Sequence, residues 1–592
     1  MKSLCSKLLL AAPFLLLFNL SAAAQTAPPD TLFIHGDILT GSHLRASDTS
    51  AVPARVTALA VAHGRIVAIG TDAKILKLKS ATTKVIDLKG AFAMPGFNDA
   101  HTHIAFAGQQ KLTVDLTGSK SLAEMQSRIR AYAATAPAGS WIKGGGWDHT
   151  LWATKKLPTK ADLDSVTGGH PAVFDRVDGH ILVANSAALA AAGITASTPS
   201  PSGGQIDHDM SGALTGILRE DSTMALVNKK IPPPSNDLRR RALQLSIDDA
   251  LAHGVTSIQD FSDWDDFLVL EELEYSHKLQ LRISEWIAFD TPLPVLIERR
   301  ASHPADDPLL HLGMLKAFMD GSLGSRTAAM EEPYSDDPGN SGILRIPDTT
   351  KLNQMSAERA AAGFQLGFHA IGDRANQVAL DAFSAAEQVG RAPNQPPPPH
   401  DPDAGIVTQV EHQAKPADFR FRIEHAQVVH AGDFDRFAKL GVIASMQPSH
   451  LLTDMNWAAA RLGPERTPFS YAWKSFLDHG VTLAFGTDYP VESINPFRGL
   501  YAAITRQNET GTQTYQPQEK ISLNEALYAY TQASAFAEFR EHEKGRLEPG
   551  FLADLVVLDR DPTKATPQEL LHTKVLRTVV NGETVFISGK TK

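Results

Sequence analysis

Cysteine is nearly missing from this chain: 592 residues contain one, Cys5. An internal disulfide is therefore impossible, and past the N-terminus no thiolate can serve as a metal ligand. A basic excess is missing too. Asp and Glu outnumber Lys and Arg by 66 to 56, a formal charge of −10, so the chain has no electrostatic footprint for nucleic acid. Apolar residues at 43% and charged residues at 21% exclude the composition of a disordered protein. Long apolar runs are also scarce. The conspicuous one, residues 8–20, is shorter than the roughly 20 residues of a membrane span and contains Pro13 and Asn19. It follows Lys2 and Lys7 and precedes Ser21, Ala22, Ala23 and Ala24, the layout of a cleavable secretory signal over residues 1–24. The expectation is an exported protein, periplasmic or secreted, with no membrane attachment after cleavage. Cys5 precedes the apolar run and leaves with the signal, so any metal must be held by His, carboxylate or a modified side chain.

Two rhythms divide the remainder. Between Asp30 and Gly90 the pattern alternates and is β-branched: Leu32, Ile34 and Ile38, then residues 56–62, a His63-Gly64 turn and residues 65–69. The C-terminus resumes it at 554–558 and at 576–580, with an Asn581-Gly582 hairpin turn into 583–587. Isolated hairpins are marginal in water, so the two ends are expected to pair into one composite β-sandwich, residues 25–91 with 540–592, rather than stand as two edge ribbons.

In the middle, a helical stretch ends at a glycine and a short apolar strand follows at once. This happens four times: 238–253 through Gly254 into 255–261, 352–362 through Gly363 into 364–369, 434–440 through Gly441 into 442–450, and 471–479 through Gly480 into 481–488. Glycine supplies the left-handed cap, and apolar runs without alternation suit strands covered on both faces. Adding 92–103, 281–287, 312–319 and 421–425 gives eight strands. The fold class is therefore α/β, a closed (β/α)8 TIM barrel over residues 92–539, chosen over an open doubly wound sheet. Two connections exceed barrel norms: about 105–250 after the first strand, long enough for a subdomain or lid, and 391–416, whose Pro396 to Pro399 predict an exposed polyproline-like loop.

Function in such barrels lies at the C-terminal ends of the strands. There the sequence puts His101 and His103 in Pro95-Gly96-Phe97-Asn98-Asp99-Ala100-His101-Thr102-His103, His369 at the end of 364–369, His425 in Arg422-Ile423-Glu424-His425, and Asp488 in Gly486-Thr487-Asp488. Residues two apart on a strand point the same way, so both imidazoles of the pair can reach one ion. With 22 histidines, chance alone yields about one His-x-His, so that pair means little by itself. Five donors on one rim mean more, and imidazole with carboxylate is what zinc accepts when thiolates are missing.

The arrangement resembles the amidohydrolase superfamily over essentially the whole mature chain, and most closely its YtcJ-like branch. The resemblance rests on Gly144-Gly145-Gly146-Trp147-Asp148, Asp178-Gly179-His180, Asn185-Ser186, Thr215-Gly216-Ile217-Leu218-Arg219-Glu220, Lys316 through Asp320-Gly321-Ser322, His369-Ala370-Ile371-Gly372-Asp373, and the closing segment 544–561. It implies two divalent metals, zinc by preference. His101, His103 and Asp488 would hold one ion, His369 and His425 the other, with a carboxylated Lys316 and a hydroxide bridging them and Asp488 as catalytic base and acid. His180, Arg326, Trp147 and His450 are read as substrate-binding candidates, each weighed against an ordinary structural role; His450 is placed on the seventh strand and not counted as a metal ligand. The implied reaction is hydrolysis of a non-peptide carbon-nitrogen bond in a small-molecule amide. An esterase or a deaminase on the same scaffold, or a non-catalytic exported binding protein, stays open, as does a homodimer. A one-metal deaminase would carry His-x-x-Glu near the fifth strand; here Ala370, Ile371 and Gly372 follow His369, and Asp373 comes one place later.

Overall fold

The computed structural model describes residues 28–45, 47–177, 179, 181–201, 204–388 and 418–589. The expected signal at 1–24, His180 and the proline-rich stretch 391–416 lie outside the described residues. Eight parallel strands follow one another around the barrel: Phe97–Thr102, Val255–Asp260, Arg282–Ala288, Leu310–Phe318, Leu366–Ala370, Arg422–His425, Ile443–Met446 and Leu483–Phe485. Backbone bonds from Asp488 N to His101 O and from His103 N to Tyr489 O, both 2.8 Å, bring the last strand's end onto the first. The four cap glycines, Gly254, Gly363, Gly441 and Gly480, have φ of 79°, 81°, 60° and 77°, a conformation costly for any residue with a Cβ.

The run read as one strand over 92–103 is two. Phe92–Pro95 pairs with Asp37–Leu39 and Leu555–Leu558 in the sandwich, and only after Gly96 does Phe97–Thr102 enter the barrel beside Val255–Asp260. A Cβ on Gly96 would lie 2.2 Å from the Thr256 side chain, so glycine lets the chain cross between sheets there. Buried strands of either sheet carry the same apolar pattern, which is why the sequence reads continuously. The sandwich stacks the four-stranded sheet of Thr31–Ile34, Ala58–Ala62, Arg65–Gly70 and Lys84–Asp87 on a six-stranded sheet that mixes both ends of the chain. Phe33, Leu59, Ile66, Leu555, Val557 and Val579 fill the space between them. Arg282 of the third barrel strand grips Asp554 through Nε and Nη2 at 2.5 and 2.9 Å, both residues buried, tying barrel to sandwich.

The long connection after strand one is shorter as a separate body than 105–250. Its ends are barrel helices, Ile104–Lys111 and Asn236–Ala252, packed so closely that a Cβ on Gly108 would lie 1.8 Å from the Ala242 carbonyl oxygen. Between them stands a six-stranded mixed sheet running from Val114 to Arg219 with its own apolar cores. Among the described residues no helix is long and apolar enough to cross a membrane.

Candidate active site at the barrel rim

His101, His103, His369, His425, Asp488 and Lys316 converge at the C-terminal rim. Ring centroids stand 5.2 Å apart for His101 and His103, 5.0 Å for His101 and His425, and 4.4 Å for His369 and His425. The strand ends turn sharply to aim these groups: φ is 74° at His425, 43° at Ala426 and 58° at Asp488. Non-glycine residues hold such angles at a cost of about 1–2 kcal/mol each, and strain of this kind collects at functional sites.

Hydrogen bonds fix which nitrogen of each imidazole keeps a lone pair. His101 Nδ1 faces Glu424 Oε2 at 2.7 Å; a carboxylate only accepts, so Nδ1 carries the proton and Nε2 has the lone pair. His103 Nδ1 donates to Phe261 O at 3.0 Å, leaving the Nε2 lone pair 3.2 Å from Asp488 Oδ1. His369 Nε2 donates to Gly321 O at 3.0 Å, which frees Nδ1. Among the described residues His425 Nδ1 and His450 Nε2 are buried with no hydrogen-bond partner, and His450 Nε2 lies 3.6 Å from Asp488 Oδ2. Lone pairs facing a carboxylate, and buried imidazole nitrogens without donors, are arrangements that a cation resolves. Two such groups share Asp488: one with His101 and His103, the other with His425 and His450. The donor set thus fits divalent metal.

The electrostatics agree. Burial, and then the Lys316 charge, pushes His101 down to about 4 and His369 to about 3, so both rest in the neutral form that ligates metal. Burial opposes ionisation of Asp488, but His101, His103 and His425 hold it well below the usual carboxylate range. Burial draws the Lys316 ammonium down to about 8. Its Nζ stands 3.1 Å from His101 Nε2 and between the rings of Trp286 and Phe318, at 5.3 and 5.1 Å. Lys316 does not pair with Asp320, whose oxygens accept instead from the backbone N–H groups of Ala329, Ile371 and Gly372 at 2.8–3.0 Å. Asp320 thereby pins the loop after strand four to the loop after strand five.

Residues beneath the donors went unread in the sequence. Glu424 holds His101 from below, and Arg422 lies 2.9 Å from Glu424 Oε1 while donating to Gln259 Oε1, Ala100 O and Ser445 Oγ. Burial raises Glu424, yet Arg422 and His101 more than offset it and hold it at about 2. Asp99 takes the N–H of His101 and of Thr487, at 3.1 and 2.9 Å, and the Thr487 hydroxyl at 2.6 Å, coupling strand one to strand eight. The available signal was Arg422 and Glu424 two apart on an otherwise apolar strand, hence on one buried face.

Two readings change, and Arg326 gains a partner. His450 is not on strand seven; it opens the short helix His450–Asp454 and joins the donors around Asp488. Trp147 is fully buried in the inserted sheet's core and donates its indole N–H to Phe174 O at 2.9 Å, so it lines no substrate pocket; Trp152 is bonded likewise to Ser119 O. Arg326 is held bidentately by Asp336 at 3.0 and 2.7 Å and lines a cavity between the rim and the inserted sheet. At the opposite end of the barrel Glu274, His303 and Asp307 form a further cluster of ligand-type residues.

Known proteins place the chain. The model of the amidohydrolase family matches residues 84–586. LONG AFTER FAR-RED 3 of Arabidopsis thaliana is 34% identical over 98% of this chain and 97% of its own. The putative amidohydrolase YtcJ of Bacillus subtilis strain 168 is 30% identical over 90% and 96%. The N-substituted formamide deformylase of Arthrobacter pascens is 27% identical over 89% and 94%. The crystal structure of an uncharacterized metal-dependent hydrolase from Pyrococcus horikoshii OT3 superposes with a TM-score of 0.72 at 28% identity, covering 91% of this chain and 99% of that one. A chain with this barrel, this rim and a family match over most of its length belongs to the amidohydrolase family, in its YtcJ-like branch, and is a metal-dependent hydrolase.

Proposed function

We propose that the protein is an exported enzyme that uses two divalent ions, zinc by preference, to hydrolyse a non-peptide carbon-nitrogen bond in a small amide. The observation that carries the two-ion reading is the pair of donor groups sharing Asp488, with one ring nitrogen each of His425 and His450 buried and, among the described residues, without a hydrogen-bond partner. His101, His103 and Asp488 would hold one ion and His369 and His425 the other, with His450 beside the second group. Ions held there would bring the pKa of water toward neutrality and polarise the substrate carbonyl.

The chain's own residues do the rest. Asp488, ionised by the surrounding imidazoles, takes the proton of the attacking water and delivers it to the departing nitrogen. Glu424 and Arg422 keep His101 in one tautomer and one orientation. An unmodified Lys316 ammonium beside His101 Nε2 would repel a dication; after loss of its proton the amine would add carbon dioxide, with release of a second proton, and the resulting carbamate anion would offer two oxygens to the ions. The amide reading draws support from the formamide deformylase among the relatives. Asp373, the nearest acid to a deaminase position, is already engaged by the N–H groups of Glu331 and Arg374, both at 2.8 Å. Export rests on residues 1–24, and an N-terminus at Gln25 in the released protein is the expected result of sequencing it.

Metal analysis of the purified protein with a panel of N-acyl and N-formyl amines and matched esters tests the proposal. The expected result is close to two ions per chain and amide turnover exceeding ester turnover. Stoichiometric metal without hydrolysis of any panel member would favour a binding protein instead. Lys316→Ala should lose metal and at least about a hundredfold in turnover, with partial rescue by a short carboxylic acid; full activity in that variant would remove the carbamate.

A further inference from the structure

Above the rim, a cavity of about 340 Å3 lies between the inserted sheet and the barrel loops, lined by Arg176, Arg219, Glu220, Arg326 and Arg461 with Gly324 and Ser325. Four guanidinium groups in one small cavity are costly together unless each has a counter-charge. Three do: Arg176 meets Asp148 at 3.0 Å, Arg219 meets Asp207 at 2.7 Å and Arg326 meets Asp336 at 2.7 Å. Glu220 reinforces the charge on Arg219. Arg461 differs. Its guanidinium carbon stacks 3.9 Å from the Trp457 ring centroid, the charges of Asp336 and Asp454 act on it without forming an ion pair, and among the described residues its Nε and Nη1 are buried without a hydrogen-bond partner.

The cavity is close to the chemistry and its wall is stiff. Gly321 O accepts from His369 Nε2, and Ser325 is four residues further on, at most about 14 Å along a fully extended chain. The loop between is braced by Ser322 Oγ to Ser325 Oγ at 2.8 Å, Ser325 Oγ to Thr327 Oγ1 at 2.6 Å and Ser322 N to Thr327 Oγ1 at 3.0 Å. We infer that this cavity is a subsite for a carboxylate on the substrate, with Arg461 as the residue that binds it. The planar fork of Arg461, fixed against Trp457, suits a carboxylate, and the other three arginines, each already held by an aspartate, do not compete for it. The enzyme's substrates are then anionic amides: the scissile bond sits at the rim and the carboxylate under the inserted sheet. This deepens the amide-hydrolase reading and rests on it.

Two compounds that differ only in the carboxylate test the subsite: 4-(formamidomethyl)benzoate and N-benzylformamide. With metal-loaded wild-type protein, kcat/KM should be at least tenfold higher for the carboxylate, carried by KM. Arg461→Met should bring the ratio of the two kcat/KM values close to one, and Arg461→Lys should retain part of it. Equal kcat/KM for the two compounds in wild type, or a preference that survives Arg461→Met, would overturn the subsite while leaving the hydrolase reading standing. If neither compound is hydrolysed, the amide reading is what fails, and calorimetric binding decides the subsite alone. Tenfold tighter binding of the carboxylate, lost in Arg461→Met, supports it; equal binding overturns it.

Discussion

The barrel carries histidine-carboxylate clusters at both ends, and they differ in what their lone pairs are doing. At the rim, His425 Nδ1 and His450 Nε2 are buried and, among the described residues, without a hydrogen-bond partner around an ionised Asp488. At the floor, beside a cavity of about 990 Å3 against the sandwich, His303 faces Glu271 Oε1 through Nδ1 and Leu310 O through Nε2, both at 2.8 Å. Each ring nitrogen thus already has an acceptor supplied by the chain itself. Residue types and spacing alone would group the two ends together. Hydrogen-bond accounting separates a site whose donors fit a cation from one already satisfied by its own chain.

The largest effect expected from that contrast is at Asp488. Asp488→Asn should cut turnover by about 10³- to 10⁴-fold with the fold retained, as circular dichroism would register; wild-type rates would take Asp488 out of the chemistry. Next comes the support beneath the rim. Glu424→Gln keeps the shape but removes the charge that holds His101 Nδ1–H, and metal affinity should fall about 10- to 100-fold, measured by competition with a chelator. Unchanged affinity would reduce Glu424 to a packing residue.

The floor should respond in stability instead. His303→Gln leaves Leu310 O or Glu271 short of a donor and should cost about 1–3 kcal/mol of unfolding free energy, with metal content and kcat as in wild type. Loss of an ion in that variant would erase the distinction between the two ends. The smallest effect concerns Glu274, whose carboxyl is pushed up to about 7 by burial and then by Asp307. The folded state holds that proton more tightly than the unfolded state does. Its stabilising contribution is therefore present below the unfolded pKa and is lost as pH rises through about 7. Glu274→Gln escapes that loss and should be more stable than wild type at pH 8, by roughly 1 kcal/mol once partial exposure is discounted. A less stable variant, together with a melting temperature that climbs with added calcium in wild type, would mean that the floor binds cations after all.

Much of this was legible beforehand because it is local. Glycine after a helix, an apolar run and then a polar residue is a nearest-neighbour pattern, and it places Gly254, Gly363, Gly441 and Gly480 at left-handed caps and their strands in one sheet. The Asn581-Gly582 and His63-Gly64 turns follow from the same local chemistry, with positive φ at all four residues. What escaped is set by partners distant in sequence. Phe92–Pro95 and Phe97–Thr102 look alike until their neighbours are known. Trp147 could have faced a ligand or a core, and only Phe174 O decides it.

The sequence by itself determined the barrel, the composite sandwich, the family and the set of His and Asp residues at the strand ends, because periodicity and strand polarity bring those residues to one rim whatever surrounds them. Only the tertiary structure decided which nitrogens face the rim, that His450 joins them, that Glu424 reaches His101 across 323 positions and that, among the described residues, Nε and Nη1 of Arg461 meet no hydrogen-bond partner. Each of these depends on a hydrogen bond or ion pair between separate segments, and such pairings are fixed by how the chain packs, not by any pattern along it.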